Sequence, residues 1–367
     1  MRNDAARIAV YPGDGIGNEV IPAAIAVLED LQARVGGFTL TFQQHAGGAA
    51  YYAETGRDMS DEAFDAGGKA DAILLGAMGL PHIRNPDGTE IAPHLRMREV
   101  YHLVSGVRPV KAYPNTPCRL ADERATGIDF IVMRESTEGL FYSRDKGEVH
   151  DDKVAYETLR ISRDVTEQLC DTAFELARQR KARGGKGRVT CVDKSNVFRA
   201  YAFFRKIFYE RAKNYPDIEV DANYVDAMAL DLIRKPWEYD VLVMENMFAD
   251  ILSDLGGGLV GGMGMAPCAE IGRDHALFQP AHGSAPDIAG QDKANPMATI
   301  LSGGLMLDWH GQRLDNPKMS EAAALLEAAV QHAFASNDLR PMEFGGDHGT
   351  REATRAVLTS LAQISRA

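Results

Sequence analysis

Short apolar runs rich in β-branched and aliphatic residues alternate along the chain with longer stretches whose apolar positions recur every three to four residues. Ile8–Tyr11 precedes a helical pattern over Glu19–Leu31, and Ala72–Leu75 forms a second short run. Ile128–Met133 is followed by Leu159–Arg180, Arg188–Val192 by Val197–Lys213, and Val241–Met244 by Ala249–Leu255. Strand-like runs alternating with helical periods predict α/β architecture, a sheet covered by helices. The C-terminal segments Met319–Ser336 and Thr350–Ile364 read as helices with no chemistry beyond covering that sheet. Two glycine-rich pieces, Leu255–Gly264 and Leu301–Gly304, interrupt the second half, and neither a fixed-period repeat nor a clean linker is visible. Asp14, Arg134, Lys194 and Glu245 each follow an apolar run, where open α/β sheets bind ligands. The pattern therefore predicts that these four stand along one cleft.

Composition narrows the class. The 367 residues exceed the roughly 100–200 of one ordinary core, so two domains or one large α/β unit are expected. With 45% apolar and 25% charged residues the chain is neither disordered nor membrane-like. A net charge of -12 is the wrong sign for nucleic acid or an anionic membrane surface, so an anionic substrate must be met locally. The four cysteines, Cys118, Cys170, Cys191 and Cys268, form no CxxC pair and indicate neither a zinc site nor a disulfide scaffold. The N-terminal apolar run is too short for a signal segment and no stretch of 18 apolar residues follows, so a soluble cytoplasmic protein is expected.

Four constellations carry candidate chemistry. Asp250 and Asp254 are four apart in an apolar helical pattern, which puts both carboxylates on one face about 5–6 Å apart at Cβ. A hard cation such as Mg²⁺ or Mn²⁺ would relieve their repulsion; a solvated acidic face is the plainer alternative. Arg98, Arg108 and Arg134 suit a di- or tricarboxylate if they converge, and are ordinary surface cations if they do not. Lys194 is either a desolvated general base or a solvated loop lysine. The segment His282, Gly283, Ser284, Ala285, Pro286, Asp287, Ile288, continuing to Gly290 with Asn295 beyond it, is small and stiff. Its backbone can approach a ligand, and Asp287 can accept from a ribose diol. The N-terminal GDGIG carries Asn18 where GxGxxG needs its third glycine, so a conventional Rossmann site is not supported.

Together these segments resemble the β-decarboxylating dehydrogenase family: isopropylmalate, isocitrate, homoisocitrate, and tartrate or D-malate dehydrogenases. The resemblance runs from PGDGIGNEV at Pro12–Val20 through LLGA, RESTEG, VDKSNV, YVDAMALDLI, ENMFADILSD and HGSAPDIAG to HGTREAT at His348–Thr354. It implies a two-domain α/β/α fold that is not a Rossmann fold. Residues 1–103 and 261–367 would form a first domain, and residues 104–260 a second that dimerises. The same resemblance implies that Arg98, Arg108 and Arg134 hold the malate-like moiety of a hydroxy-dicarboxylate, with His94 and Leu95 facing its C3 substituent. It makes Asp226, Asp250 and Asp254 ligands of Mg²⁺ or Mn²⁺ and Lys194 the catalytic lysine. Lys194 and Asp226 would reach into a partner's cleft, so a homodimer with shared active sites is expected. His282–Ile288 and Asn295 would bind the adenosine of NAD, because Asp287–Ile288 matches the NAD-using members. A role for K⁺ is left open.

Several positions depart from the family pattern. Phe141 occupies the place of its acid tyrosine, with Tyr142 one place later, so Tyr142 is the expected donor if the loop shifts by one residue. Gln279 replaces a glutamate, Asn18 a proline, and His94–Leu95 two leucines of the isopropylmalate enzymes. The expected activity is thus oxidation, with decarboxylation, of a malate-like acid whose identity stays open. A non-catalytic subunit of the same fold is the alternative, which retention of Lys194, the three arginines and the three aspartates opposes.

Overall fold

The computed structural model describes residues 4–144 and 146–365. The strands are β1 (Ala5–Gly13), β2 (Thr39–Gln44), β3 (Ala72–Ala77), β4 (Ser105–Lys111), β5 (Asp129–Glu135), β6 (Glu148–His150), β7 (Val154–Tyr156), β8 (Arg188–Asp193), β9 (Glu219–Tyr224), β10 (Val241–Met244), β11 (Pro267–Ile271) and β12 (Ala276–Pro280). The helices are α1 (Gly17–Val35), α2 (Ala49–Thr55), α3 (Asp61–Lys69), α4 (Pro93–Val100), α5 (Arg163–Ala182), α6 (Arg199–Ala212), α7 (Val225–Arg234), α8 (Asn246–Leu259), α9 (Met297–Arg313), α10 (Pro317–Ala335) and α11 (Thr350–Ile364).

Ten strands form one sheet in the order β2-β1-β3-β12-β11-β4-β5-β10-β8-β9, and β6 pairs only with β7. This is a mixed α/β architecture around a large central sheet. The outer strands are parallel; β11 runs antiparallel to both β12 and β4, and β4 antiparallel to β5. The five strands from β2 to β11 come from the two ends of the chain, and the five from β4 to β9 from its middle. Every side chain of β3 and β10 is buried, as expected of strands covered on both faces.

Each helix predicted from periodicity exists, Thr350–Ile364 with its ends as expected and the others with shifted ends. The pattern from Leu159 becomes helical only at Arg163, because Ser162 is extended, and that from Val197 begins at Arg199 behind extended Phe198. The first glycine-rich piece does end a helix, α8 stopping at Leu259 ahead of Gly261 and Gly262 at positive φ, but Gly256, Gly257 and Gly258 lie inside α8 and Gly303 and Gly304 inside α9. Packing against the sheet overrides their weak helix propensity.

Register sets up the floor of the site. Glu270 of β11 pairs across from Gly106 of β4, and Gly106 from Arg134 of β5. Residues opposite one another share a face, and alternate residues of one strand do too, so Arg108 joins Glu270 and Arg134 on that face. No helix among the described residues is long and apolar enough to cross a membrane.

Candidate active site

A cavity of about 940 Å³ opens over this face, walled by α4 on one side and α8 on the other. α4 begins with Pro93 at its first turn and presents His94, Leu95 and Arg98 to the cavity, His94 one turn before Arg98. α8 starts at Asn246 behind Glu245, whose carboxylate accepts from the Met247 amide at 3.1 Å and caps the helix. Its next turns carry Asp250 and Asp254 into the same space.

The three arginines converge, and all are buried. Arg108 donates through Nη1 to Asp250 Oδ1 at 3.1 Å and to Ser253 Oγ at 2.7 Å. Arg134 donates to the same Asp250 oxygen and, through Nε, to Asn246 Oδ1 at 2.9 Å. Asn246 is in turn fixed by donating to the Glu138 carbonyl at 3.0 Å. Arg98 instead meets Glu270 Oε1 at 3.0 Å, with Glu270 fully buried. Stranding either member of such a buried pair costs about 3–5 kcal/mol, so the pair is locked.

Titration follows from this crowding. Burial, then Arg108 and Arg98, pull the Arg134 guanidinium down to about 10, against Asp250. Burial raises the Asp254 carboxyl, Arg108 opposes this, and the Asp250 charge adds to the rise. Two carboxylates that repel in a half-desolvated site are what a divalent cation would relieve, so Asp250 and Asp254 fit one. His94 is pushed down to about 3 by burial and by Arg98, Arg144 and Arg134, so its ring is neutral, and its buried Nδ1 has no hydrogen-bond partner among the described residues.

Other sequence-predicted residues lie elsewhere. Lys194 forms an ion pair with Asp226, which is two-thirds exposed at the start of α7, and neither lines the cavity. Among the described residues no three His, Cys, Asp or Glu side chains group to hold a metal. One chain therefore supplies Asp250 and Asp254 but not Asp226. Of the four residues expected along one cleft, only Arg134 reaches the cavity. Asp14 is a buried cap whose carboxylate accepts from the amides of Ala49, Ala50 and Gly79, each at 2.8 Å.

The expectation for Tyr142 is corrected here. Phe141 lines the cavity with its ring 5.2 Å from the Arg134 guanidinium, whereas the Tyr142 ring lies between Lys146 at 4.1 Å and Arg160 at 4.5 Å. The loop has not shifted by a residue; two cations hold the tyrosine outside.

The loop from His282 borders the same space, with His282 and Gly283 in the wall. It is tied to the N-terminal GDGIG turn: the Ile16 amide donates to Ser284 O at 2.8 Å. Gly15, at φ +53°, is required there, since a Cβ would stand 2.0 Å from that oxygen. Glu19 of α1 holds the far end by accepting from the Gly290 and Asp292 amides. Ala285 takes a left-handed conformation at φ 38° ahead of Pro286–Ile288, and Asp287 is exposed at the rim. Asn295 is buried, donating to Glu343 at 2.9 Å and accepting from the Met297 amide. Both partners lie outside the loop, so Asn295 is not seen to meet it or the cavity.

The sequence reading missed Glu270, Asn246, Ser253 and Arg144. A lone carboxylate inside the otherwise apolar PCAEI is the signal that could have found the first. Arg144 lines the cavity and pairs with Glu99 at 3.1 Å.

Residues 7–357 match the family model described as isocitrate/isopropylmalate dehydrogenase. A 3-isopropylmalate/3-methylmalate dehydrogenase of Methanocaldococcus jannaschii is 40% identical over 96% of this chain and 97% of its own. A 3-isopropylmalate dehydrogenase of Chlorobium chlorochromatii is 37% identical over 97% and 99%. Among solved structures, an isocitrate dehydrogenase from Methylococcus capsulatus superposes with a TM-score of 0.83 at 31% identity, covering 97% of this chain and 99% of that one. A β-decarboxylating dehydrogenase from Thermococcus kodakarensis gives 0.78 at 33%, covering 98% and 97%.

Proposed function

Because the chain belongs to the isocitrate/isopropylmalate dehydrogenase family, we propose that its cavity oxidises a malate-like 2-hydroxy acid with NAD⁺ and a divalent cation, with loss of the 3-carboxylate. The protein is an oxidoreductase of the decarboxylating dehydrogenase type. The observation that carries the reading is the convergence of Arg98, Arg108 and Arg134 beside Asp250 and Asp254 in one cavity.

The guanidinium forks bind the two substrate carboxylates and orient C2. Asp250 and Asp254 would hold Mg²⁺ or Mn²⁺, which when bound supplies Lewis acidity at the 2-oxygen. Arg108 and Arg134 both donate to Asp250 Oδ1, so Asp250 would meet a cation through Oδ2. The loop His282–Ile288 binds the adenosine end of NAD⁺, with the Asp287 carboxylate accepting from the ribose. His94, neutral and one turn from Arg98, faces the C3 substituent and favours a small or polar group.

Lys194, reaching the cavity of a second copy with Asp226 beside it, takes the hydroxyl proton once its ammonium has passed its own proton to solvent. Exposed apolar side chains at Val197, Phe198, Leu230, Ile233 and Ile251 support such a homodimer. Phe141 has no proton to give, so solvent protonates the carbon after CO₂ leaves. The strand order supports a division into residues 1–103 with 261–367 and residues 104–260, whose boundary crosses the cavity floor.

NADH formation from D-malate, tartrate, 3-isopropylmalate, isocitrate and homoisocitrate with Mn²⁺ tests the reading. One or more should be oxidised with CO₂ release. Failure of every acid to reduce NAD⁺ or to bind would overturn it.

A further inference from the structure

Glu270 lies under the site rather than in its wall. Its side chain is fully buried on β11, and Oε1 meets Arg98 Nη2 at 3.0 Å, with Cys268 Sγ 3.5 Å away. Oε2 has no partner. The carboxylate fits because its neighbour across the register is bare: a Cβ on Gly106 would stand 2.9 Å from Oε2. A charged group at 0% exposure among aliphatic strands is costly unless something holds it there, and the group it meets is the guanidinium of Arg98.

The other two arginines are organised differently. Arg108 and Arg134 share Asp250 on α8, so their anchor sits in the cavity wall. Arg98 has its anchor beneath it. It comes from α4, whereas Arg108 and Arg134 rise from the sheet itself, and the contact to β11 ties this helix-borne fork to the floor that carries the other two.

We propose that Glu270 is a positioning residue for substrate binding: it holds one edge of the Arg98 guanidinium from below so that the remaining N–H groups face the carboxylate of the hydroxy acid. The inference rests on the malate-like substrate reading above. Glu270 touches no substrate; it acts through Arg98 by fixing the direction of the fork before the ligand arrives. Bidentate recognition depends on that direction, and a fork free to rotate loses the second hydrogen bond. Gly106 belongs to the same device, since a side chain there would displace the carboxylate.

The test is a double-mutant cycle read by calorimetric binding of D-malate to the Mn²⁺-loaded dimer, with NAD⁺ binding measured alongside. Glu270→Ala should weaken D-malate about 10-fold or more and leave NAD⁺ unchanged. Arg98→Ala should weaken it at least as much in the native background, but should add less than about threefold in the Glu270→Ala background, because the fork is already undirected. Glu270→Gln, which keeps an acceptor oxygen, should restore most of the affinity and guards against a variant that merely misfolds. Penalties that multiply, or a parallel loss of NAD⁺ affinity, would overturn the positioning role. So would tighter D-malate binding by Glu270→Gln, which would make Glu270 only a repelling charge. Where D-malate does not bind, the cycle is run with whichever of the five acids the native protein does bind; if none of them binds, the substrate reading and this inference fall together, whereas native binding with multiplying penalties removes Glu270 alone.

Discussion

Lys194 and Asp226 hold each other in an ion pair on a face that the cavity does not reach, while Asp250 and Asp254 line it. The Asp226 carboxyl is held below its ordinary value chiefly by its hydrogen bond from Lys194. The lysine and the carboxylate thus sit together as one unit, next to the exposed Leu230 and Ile233 of α7. In the proposed homodimer this unit would be delivered whole to the cavity of the second copy.

Subunit mixing follows from this. Lys194→Ala and Asp250→Asn proteins should each be inactive, and exchanging their subunits should restore roughly a quarter of native turnover, since half the dimers then carry one intact site of two. Exchange shown by mass spectrometry without any recovered activity would remove the shared site.

Divalent metal should be indispensable. Chelation should abolish turnover, and Asp250→Asn should weaken Mn²⁺ binding, followed by electron paramagnetic resonance, by at least about 10–100-fold. NAD⁺ affinity should be spared. Normal turnover in fully chelated protein would refute the assignment.

NAD⁺ should be preferred over NADP⁺ by at least about 10-fold in kcat/KM, because the exposed Asp287 carboxylate accepts from a 2′-hydroxyl but repels a 2′-phosphate. Asp287→Ala should narrow the ratio. A native preference for NADP⁺ would be the contrary result.

His94→Leu should move specificity toward 3-isopropylmalate, raising its kcat/KM relative to D-malate by about 10-fold or more. It should also alter acid stability. His94 is held near 3 in the folded protein against an ordinary 6.5, so below about 6.5 the unfolded chain binds a proton that the folded one refuses. Stability therefore falls as pH drops from about 6.5 toward 3, and His94→Leu should make that fall shallower by up to one proton. Urea unfolding at several acidic pH values measures it; an unchanged slope would mean that the histidine is protonated in the folded state.

Tyr142→Phe should leave CO₂ release near native, well short of the roughly 10²-fold loss that follows removal of a general acid. Phe141→Tyr is the informative partner variant, since it places a phenol beside Arg134 in the cavity. A collapse of decarboxylation in Tyr142→Phe alone would show that the loop rearranges on binding.

The sequence by itself determined the α/β alternation, because strand and helix periods are local and survive any packing. It also determined the family, through motifs whose residues are neighbours in the chain, and it named Arg98, Arg108, Arg134, Asp250 and Asp254, which the fold does bring together. Only tertiary structure decided what lies between those motifs. Whether Phe141 or Tyr142 faces the cavity depends on Lys146 and Arg160 gripping one ring, a competition between contacts that adjacent positions cannot reveal. Asp14 and Lys194 occupy the expected places after their strands, yet the first caps α2 and the second pairs with Asp226 outside the cavity. Glu270 acquires meaning only through a register that aligns it with Gly106 and Arg134 across three strands drawn from distant parts of the chain. Long-range pairing is fixed by burial of the whole sheet rather than by any local preference, and so a buried carboxylate under an arginine is invisible until the sheet has formed.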